Sequence, residues 1–325
     1  MAAIRRPASL IGSPVAGRAP RVLVLGDLVL DVVMIPARPI EHGTDVPGRV
    51  AIRQGGSAAN TARWLGRLGI ETQLVCAVGR DGAGRSLVAE VGRDRVVVRA
   101  IRVAGRRTGR IGVVVGADGE RSFITDRRAA LAMQPGDLRA AWFTGLDLVH
   151  LPAYSLLDEP LALAGRRGVE LAREAGALVS LDLASSGPLL EHGRRTALGL
   201  VASVAPDVVF STESEAAALV GRDGADALAE LAPIVVLKRG ARGATVVTRS
   251  GDGGPATRFD VATAAVVVTD TTGAGDAFDA GFLAGWLTAR AAGHPVAVAL
   301  HRGCLAGQRA ASRQLRATPP ELPPG

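Results

Sequence analysis

Residues 266–293 read VVVTDTTGAGDAFDAGFLAGWLTARAAG. Three valines give way to threonine and aspartate, glycines follow at 273 and 275, and a long alanine-, glycine- and leucine-rich stretch then begins. The valine run reads as a strand, the glycines as a tight turn, and the stretch from 274 onward as a helix. Ala277, Gly281, Gly285 and Ala289 recur at every fourth position, so one face of that helix is stripped to small residues and can lie close against a neighbouring backbone. The Gly-x-x-x-Gly pattern is not a membrane signal here, because Asp270, Asp276 and Asp279 flank or occupy the segment.

Working outward, the same strand-like signature recurs in RVLVLGD (21–27), TQLVCAVG (72–79), LDLVHLP (146–152), ALVSLDL (177–183), DVVFS (207–211) and PIVVLKRG (233–240). Short continuous apolar runs of this kind suit strands buried on both faces of a parallel sheet. Helical patterns lie between them, as in SAANTARWLGRLG (57–69) and EPLALAGRRGVELAREAG (159–176). Alternation of this sort implies an α/β fold with a doubly wound, mostly parallel sheet. Two regions, 31–53 and 95–125, read as strands with no helix between, and GADGE (116–120) reads as a hairpin turn. They are expected to form a small separate β-sheet, a lid over a site contributed by about 32–53 and 96–125, or a surface that pairs two copies as a homodimer. An edge extension of the main sheet is the other option.

Composition narrows the function classes. Apolar residues make up 48% of the 325 residues, which excludes disorder for the bulk of the chain. The net charge is +7, but the arginines are interleaved with acids and no basic run exceeds Arg-Arg, which argues against nucleic-acid binding. Lys238 is the single lysine. No apolar run reaches the roughly 18 residues of a membrane span. Residues 1–20 read as a loose tail, 21–315 as the α/β domain, and 316–325 as a Pro-rich tail. Cys76 and Cys304 lack metal-ligand spacing and read as buried, reduced thiols of a cytoplasmic protein. The five histidines show neither triad nor metal spacing.

A glycine-rich strand-to-helix turn leaves backbone N–H groups pointing out of the helix N-terminus, where the macrodipole adds about half a positive charge. That is an anion site, and phosphate is its usual occupant. Asp276 lies in the first turn of the helix. A carboxylate beside a phosphate cradle suits a group that takes a proton from an attacking alcohol; on spacing alone it is equally a helix-capping aspartate.

DTTGAGDAF (270–278) resembles the C-terminal signature of the ribokinase-like (PfkB) carbohydrate kinases. GGSAANTARWLGRLG (55–69) resembles their N-terminal glycine signature, and GDLVLD places Asp31 after Gly26 at the family's interval. VGRDGAGR (78–85), STESEA (211–216) and LKRGARGA (237–244) follow in family order, so the resemblance spans roughly residues 21 to 312.

The resemblance implies transfer of the ATP γ-phosphate to a hydroxyl of a sugar, with a nucleoside as the alternative acceptor and a non-catalytic sugar- or nucleotide-binding regulator as the alternative class. Asp276 matches the catalytic base, and Gly273, Ala274 and Gly275 match the anion hole. Asp31, Gly55, Gly56 and Asn60 match the acceptor site. Lys238, Gly240 and Thr272 match the nucleotide site. Glu215 matches the residue that organises Mg²⁺ through water, although Thr212 stands where the family has asparagine. Asp270 matches a ligand of a monovalent-cation loop, K⁺ in several members, although 307–317 lacks the usual Gly-Ala pair. Asp182 ends a strand on the same edge but is followed by Leu183-Ala184 rather than Pro-Asn, and Asp279 replaces a common asparagine. Arg127 and Arg128 read as solvated lid residues or as a clamp for a carboxylate. No P-loop and no strand-linked G-x-G-x-x-G is present.

Overall fold

The computed structural model describes residues 18–116, 120–221, 224–249, 257–264, 271–317 and 321–322. The chain opens with β1 (Arg21–Leu25), β2 (Val29–Pro36), β3 (Gly48–Gly55) and α1 (Ser57–Arg67). β4 (Glu71–Gly79), α2 (Gly82–Gly92), β5 (Val96–Val103), β6 (Arg110–Val115) and β7 (Arg121–Asp126) follow. Next come β8 (Leu148–Pro152), α3 (Leu161–Glu174), β9 (Leu178–Asp182), α4 (Ser186–Leu190), α5 (Arg194–Val204), β10 (Val208–Thr212) and α6 (Glu213–Val220). The last part holds α7 (Gly224–Leu228), β11 (Ile234–Lys238), β12 (Ala244–Thr248), β13 (Thr257–Val261), α8 (Ala274–Ala291) and α9 (Val296–Arg316).

Nine strands form the main sheet in the order β13-β12-β11-β10-β9-β8-β1-β4-β5. Every pairing from β5 to β11 is parallel; the β11–β12 and β12–β13 pairings are antiparallel, so β12 alone runs against the other strands. The strands read as apolar runs because helices cover both faces. One face packs Val22, Val24, Phe210 and Val236 against α1, α8 and α9; the other packs Leu23, Leu25, Val209 and Val235 against α3 and α5. Phe282 of α8 meets Phe210 of β10 edge-on, ring centroids 5.3 Å apart, which fixes α8 on the sheet.

The small-residue face of α8 is packed as its spacing predicts. A Cβ on Gly281 would stand 2.6 Å from the Ala306 carbonyl, and one on Gly285 would stand 2.7 Å from the Ala306 side chain, so α9 lies directly on α8. Cys76 and Cys304 are free and buried, and burial pushes both thiols up to about 12.

The lid is a separate four-stranded sheet, β3-β2-β6-β7. It differs from the expected span, because Val96–Val103 pairs in parallel with β4 as the edge of the main sheet. The helix α2 lies just before this segment and carries the chain across to that edge. Gly116 N–H closes the β6–β7 hairpin on the Glu120 carbonyl at 2.7 Å; turn residues 117–119 lie outside the described part. The strand expected at 266–268 also lies outside it.

Residues 1–17, 318–320 and 323–325 of the expected tails lie outside the described part; the rest makes long-range contacts at each end. Arg18 forks onto Asp147 at 2.8 and 2.9 Å, and Leu322 N–H reaches the Ile52 carbonyl at 2.8 Å. No helix among the described residues is long and apolar enough to cross a membrane.

Candidate active site

Two helices aim their N-termini at one place. In α8 the N-cap is Gly273, in the left-handed region at φ 70°, and no side chain caps the helix. Ala274 N–H is spent on the Thr271 carbonyl at 3.2 Å and Ala277 N–H on the Gly273 carbonyl at 2.9 Å, so the cradle centres on the amides of Gly275 and Asp276. In α1 the N-cap is Gly56, at φ 101°, where a Cβ would fall 2.6 Å from the Asp27 carbonyl. Here the amides are already taken: Ala58 N–H approaches the Asp27 carboxylate at 3.4 Å, and Ala59 N–H the Asp27 carbonyl at 3.3 Å. The end of α8 is therefore the one left for an anion.

Asp276, third residue of α8, sits between the two. Its Oδ1 accepts a hydrogen bond from Ser57 Oγ at 2.7 Å and its Oδ2 one from Asn60 Nδ2 at 2.9 Å. Burial raises its pKa to about 6; the Ser57 and Asn60 bonds hold it back from going further. Asn60 is itself oriented: Gln54 Nε2 donates to its Oδ1 at 3.2 Å, and Arg63, anchored on Glu90 at 3.0 Å, donates to Gln54 Oε1 at 2.8 Å.

Asp31 lies within β2. Its register with Arg53 turns it to the same lid face as Val33, Ala51 and Val113. A Cβ on Gly55 would fall 2.0 Å from this carboxylate, so only glycine leaves Asp31 room there. Burial first, then the charges of Asp27 and Asp276, raise Asp31 to about 7. Asp31 and Asp276 thus face one cleft and feel each other.

At the other side of the cradle, Lys238 ends β11. Its Nζ donates to Asp182 at 2.9 Å and to Asp279 at 3.0 Å, and it stands 3.5 Å from the position a Cβ on Gly275 would take. Burial pulls its pKa down, but Asp182, Asp279 and Glu215 more than reverse this, and it stays charged. Asp279 is raised well above the usual range, chiefly by burial, and its Oδ1 is enclosed with no partner. The sole lysine is therefore a counter-ion shared by two buried carboxylates beside the N-terminus of α8. Asp182, doubtful on its flanking residues, is one of the two.

Glu215 is partly committed. Its Oε2 accepts from Thr212 N–H at 2.8 Å while Thr212 Oγ1 accepts from Glu215 N–H at 3.2 Å, a capping box that starts α6. Threonine in place of asparagine at 212 thus has a local structural reason. Among the described residues no group of three His, Cys, Asp or Glu could hold a metal by itself. Gly240, at φ 56°, opens a turn after β11 with no atom near its Cβ position. Thr272 is less free than expected: its carbonyl takes Gln314 Nε2 at 3.0 Å, and its hydroxyl takes Arg121 from the lid. Asp270 lies outside the described residues. Arg127 stacks over Tyr154 at 5.5 Å and Arg128 forks onto Asp126, so neither stands free as a clamp.

Ser57 and Arg121 went unread in the sequence. Ser57 was findable, since it precedes Asn60 by three and so shares its helix face; Arg121 had no local signal, because only the lid's fold brings it to Thr271 and Thr272.

An uncapped helix N-terminus, a carboxylate held beside it and a buried lysine across from it define a phosphoryl-transfer enzyme of the α/β class. The comparisons name the family. The family model described as "pfkB family carbohydrate kinase" matches residues 19–321, and the chain belongs to that family, whose members are phosphotransferases with an alcohol group as acceptor. It is 31% identical over 276 residues to a fructokinase from Klebsiella pneumoniae, covering 82% of this chain and 84% of that protein. It is also 31% identical over 282 residues to an ATP-dependent ribose-1-phosphate kinase from Halopiger xanaduensis, covering 82% and 85%. Among solved structures, the fructokinase from Vibrio cholerae O395, with fructose, ADP and calcium bound, superposes with a TM-score of 0.75 at 24% identity, covering 92% of this chain and 94% of that one.

Proposed function

We propose that this protein catalyses ATP-dependent phosphorylation of a sugar hydroxyl, a primary alcohol, with Asp276 as general base. The observation that carries the reading is the placement of Asp276: a carboxylate one turn into an uncapped helix, in the same cleft as Asp31. In the transfer the acceptor O–H bond breaks and its proton passes to Asp276. The acceptor oxygen bonds the γ-phosphorus, and the bond from that phosphorus to the departing ADP oxygen breaks. The amides of Gly275 and Asp276 and the Lys238 ammonium meet the charge developing on the phosphoryl oxygens. Asp31 and Asn60 hold the acceptor's other hydroxyls, with Gly55 and Gly56 letting the sugar approach the backbone. The nucleotide lies along Thr272 and Gly240.

Magnesium fits the donor set in one way. Glu215 spends Oε2 on the Thr212 amide, and its other oxygen would hold a water of an Mg²⁺ carried on the phosphates. The ion would share the phosphate charge. A monovalent cation at Asp270 belongs to the same reading. The lid's outward face exposes Val50, Ile52 and Ile124, opposite the face of Asp31, which supports pairing of two copies through their lids.

An ADP-release screen against ketohexoses, aldohexoses, pentoses, sugar phosphates, sugar acids and nucleosides tests the function. ADP should appear with a sugar and not without it. A sugar that raises the melting temperature while no acceptor yields ADP would point to a binding protein instead.

A further inference from the structure

The first turn of α1 puts two donors on the Asp276 carboxylate, one on each oxygen, and only Asn60 has a part in the account so far. Ser57 reaches Oδ1 at 2.7 Å and Asn60 reaches Oδ2 at 2.9 Å. Three residues apart, they lie on one helix face and close on the carboxylate from the same side. Building on the phosphotransfer reading above, we propose that Ser57 is a positioning residue for the base: its hydroxyl pins Oδ1 so that Oδ2 stays turned to the acceptor hydroxyl.

The terminal torsion of an aspartate is broad, so one hydrogen bond leaves the carboxylate plane free to turn and two fix it. Asn60 is the less permanent of the two donors, because its amide is also the group that meets the acceptor. Once Asn60 has turned to the sugar, the Ser57 hydroxyl on Oδ1 and the acceptor hydroxyl donating to Oδ2 are the two bonds that fix the Asp276 carboxylate. Nothing else engages the Ser57 hydroxyl among the hydrogen bonds of the described residues, and its place is rigid. Gly56 makes the left-handed turn just before it, and Asp27 grips the amides of Ala58 and Ala59 just after it. The proton leaving the acceptor arrives on Oδ2, while the Ser57 proton stays on Oγ throughout. The charged groups facing Asp276 are Asp31 from β2, Asp182 from β9, Lys238 from β11 and Asp279 from its own helix, with the Tyr154 hydroxyl beyond. Ser57 is uncharged, so removing it alters the hold on the carboxylate without altering that set.

Ser57→Ala and Ser57→Thr separate the idea from a merely structural role. In Ser57→Ala, kcat should fall about tenfold, the order expected for one hydrogen bond to a charged group, with the acceptor KM within about twofold. The acid limb of kcat/KM should move to higher pH, and Ser57→Thr should restore both. The carboxyl carbon of Asp276, assigned by its loss in Asp276→Asn, gives a second readout by NMR titration that needs no acceptor. Its midpoint should rise in Ser57→Ala and return in Ser57→Thr. A midpoint that does not move overturns the role of Ser57, whether or not an acceptor is known. A wild-type enzyme that phosphorylates nothing, with the midpoint still responsive to Ser57→Ala, overturns the kinase reading and leaves the Ser57–Asp276 hold standing.

Discussion

Replacing Lys238 with methionine removes the cation that bonds the buried carboxylates of Asp182 and Asp279. Lys238 bonds Asp182 and Asp279, whose side chains are 6% and 1% exposed, so neither can turn to water for compensation. Methionine keeps the stem and its packing and loses the charge and both hydrogen bonds. Breaking a buried ion pair from one side costs about 3–5 kcal/mol, because the stranded charge stays buried. At roughly 2 °C per kcal/mol for a chain of this size, the melting temperature should drop by about 6–10 °C near pH 7.5. The sign of the pH dependence is fixed by chemistry. Asp279 is an acid whose folded pKa lies above its unfolded value, so its burial costs least when it is protonated and most when it is ionised. The deficit of Lys238→Met should therefore shrink as pH falls towards 5, where the stranded Asp279 takes up a proton. Adding Asp279→Asn to Lys238→Met should recover part of the loss at pH 7.5. The assay is denaturant unfolding of both variants and wild type from pH 5 to 8. A deficit below about 1 kcal/mol, or one flat across that range, would refute the buried counter-ion role.

Other consequences are direct. Because Asp276 and Asp31 titrate at about 6 and about 7 and interact, kcat/KM should decline on the acid side through the pH 6–7 region as a coupled pair, flat above it until another group intervenes. A profile flat down to pH 5 would show that neither carboxylate must be ionised. Gly273→Ala forces a side chain into a φ of 70°, a strain of about 1–2 kcal/mol, with no close clash at the Cβ; kcat should fall more than tenfold through the displaced amides, with a loss of stability small enough to leave the protein folded. Gly281→Leu would drive a side chain into the Ala306 carbonyl and Ala310, so unfolding should become easier by several kcal/mol, read by calorimetry.

The sheet was legible because burial on both faces writes itself as continuous apolar runs, and α8 because its small residues keep the period of a helix. The lid was half legible. Strand composition marked β2, β3, β6 and β7 correctly as β, but nothing local distinguishes them from β5, which pairs with β4 only because α2 carries the chain over the sheet. In the site, the resemblance brought Asp276, Asp31, Asn60 and the glycines to one cleft, as found. It gave no hint of the ion partners of Lys238, because Asp182 and Asp279 lie 56 and 41 residues away in the chain and meet it only after the sheet forms. The capping bond between Glu215 and Thr212 is local, but the family motif that matches Glu215 to Mg²⁺ does not announce it.

The account stands or falls on Asp276 as the acceptor's proton sink beside an open phosphate cradle. Comparing ADP formation by wild type and Asp276→Asn, at saturating ATP and acceptor with nucleotide affinity measured alongside, tests it most directly. A loss of about 10² to 10⁴ in kcat with nucleotide binding kept is the result expected of a missing general base; turnover equal to wild type contradicts it.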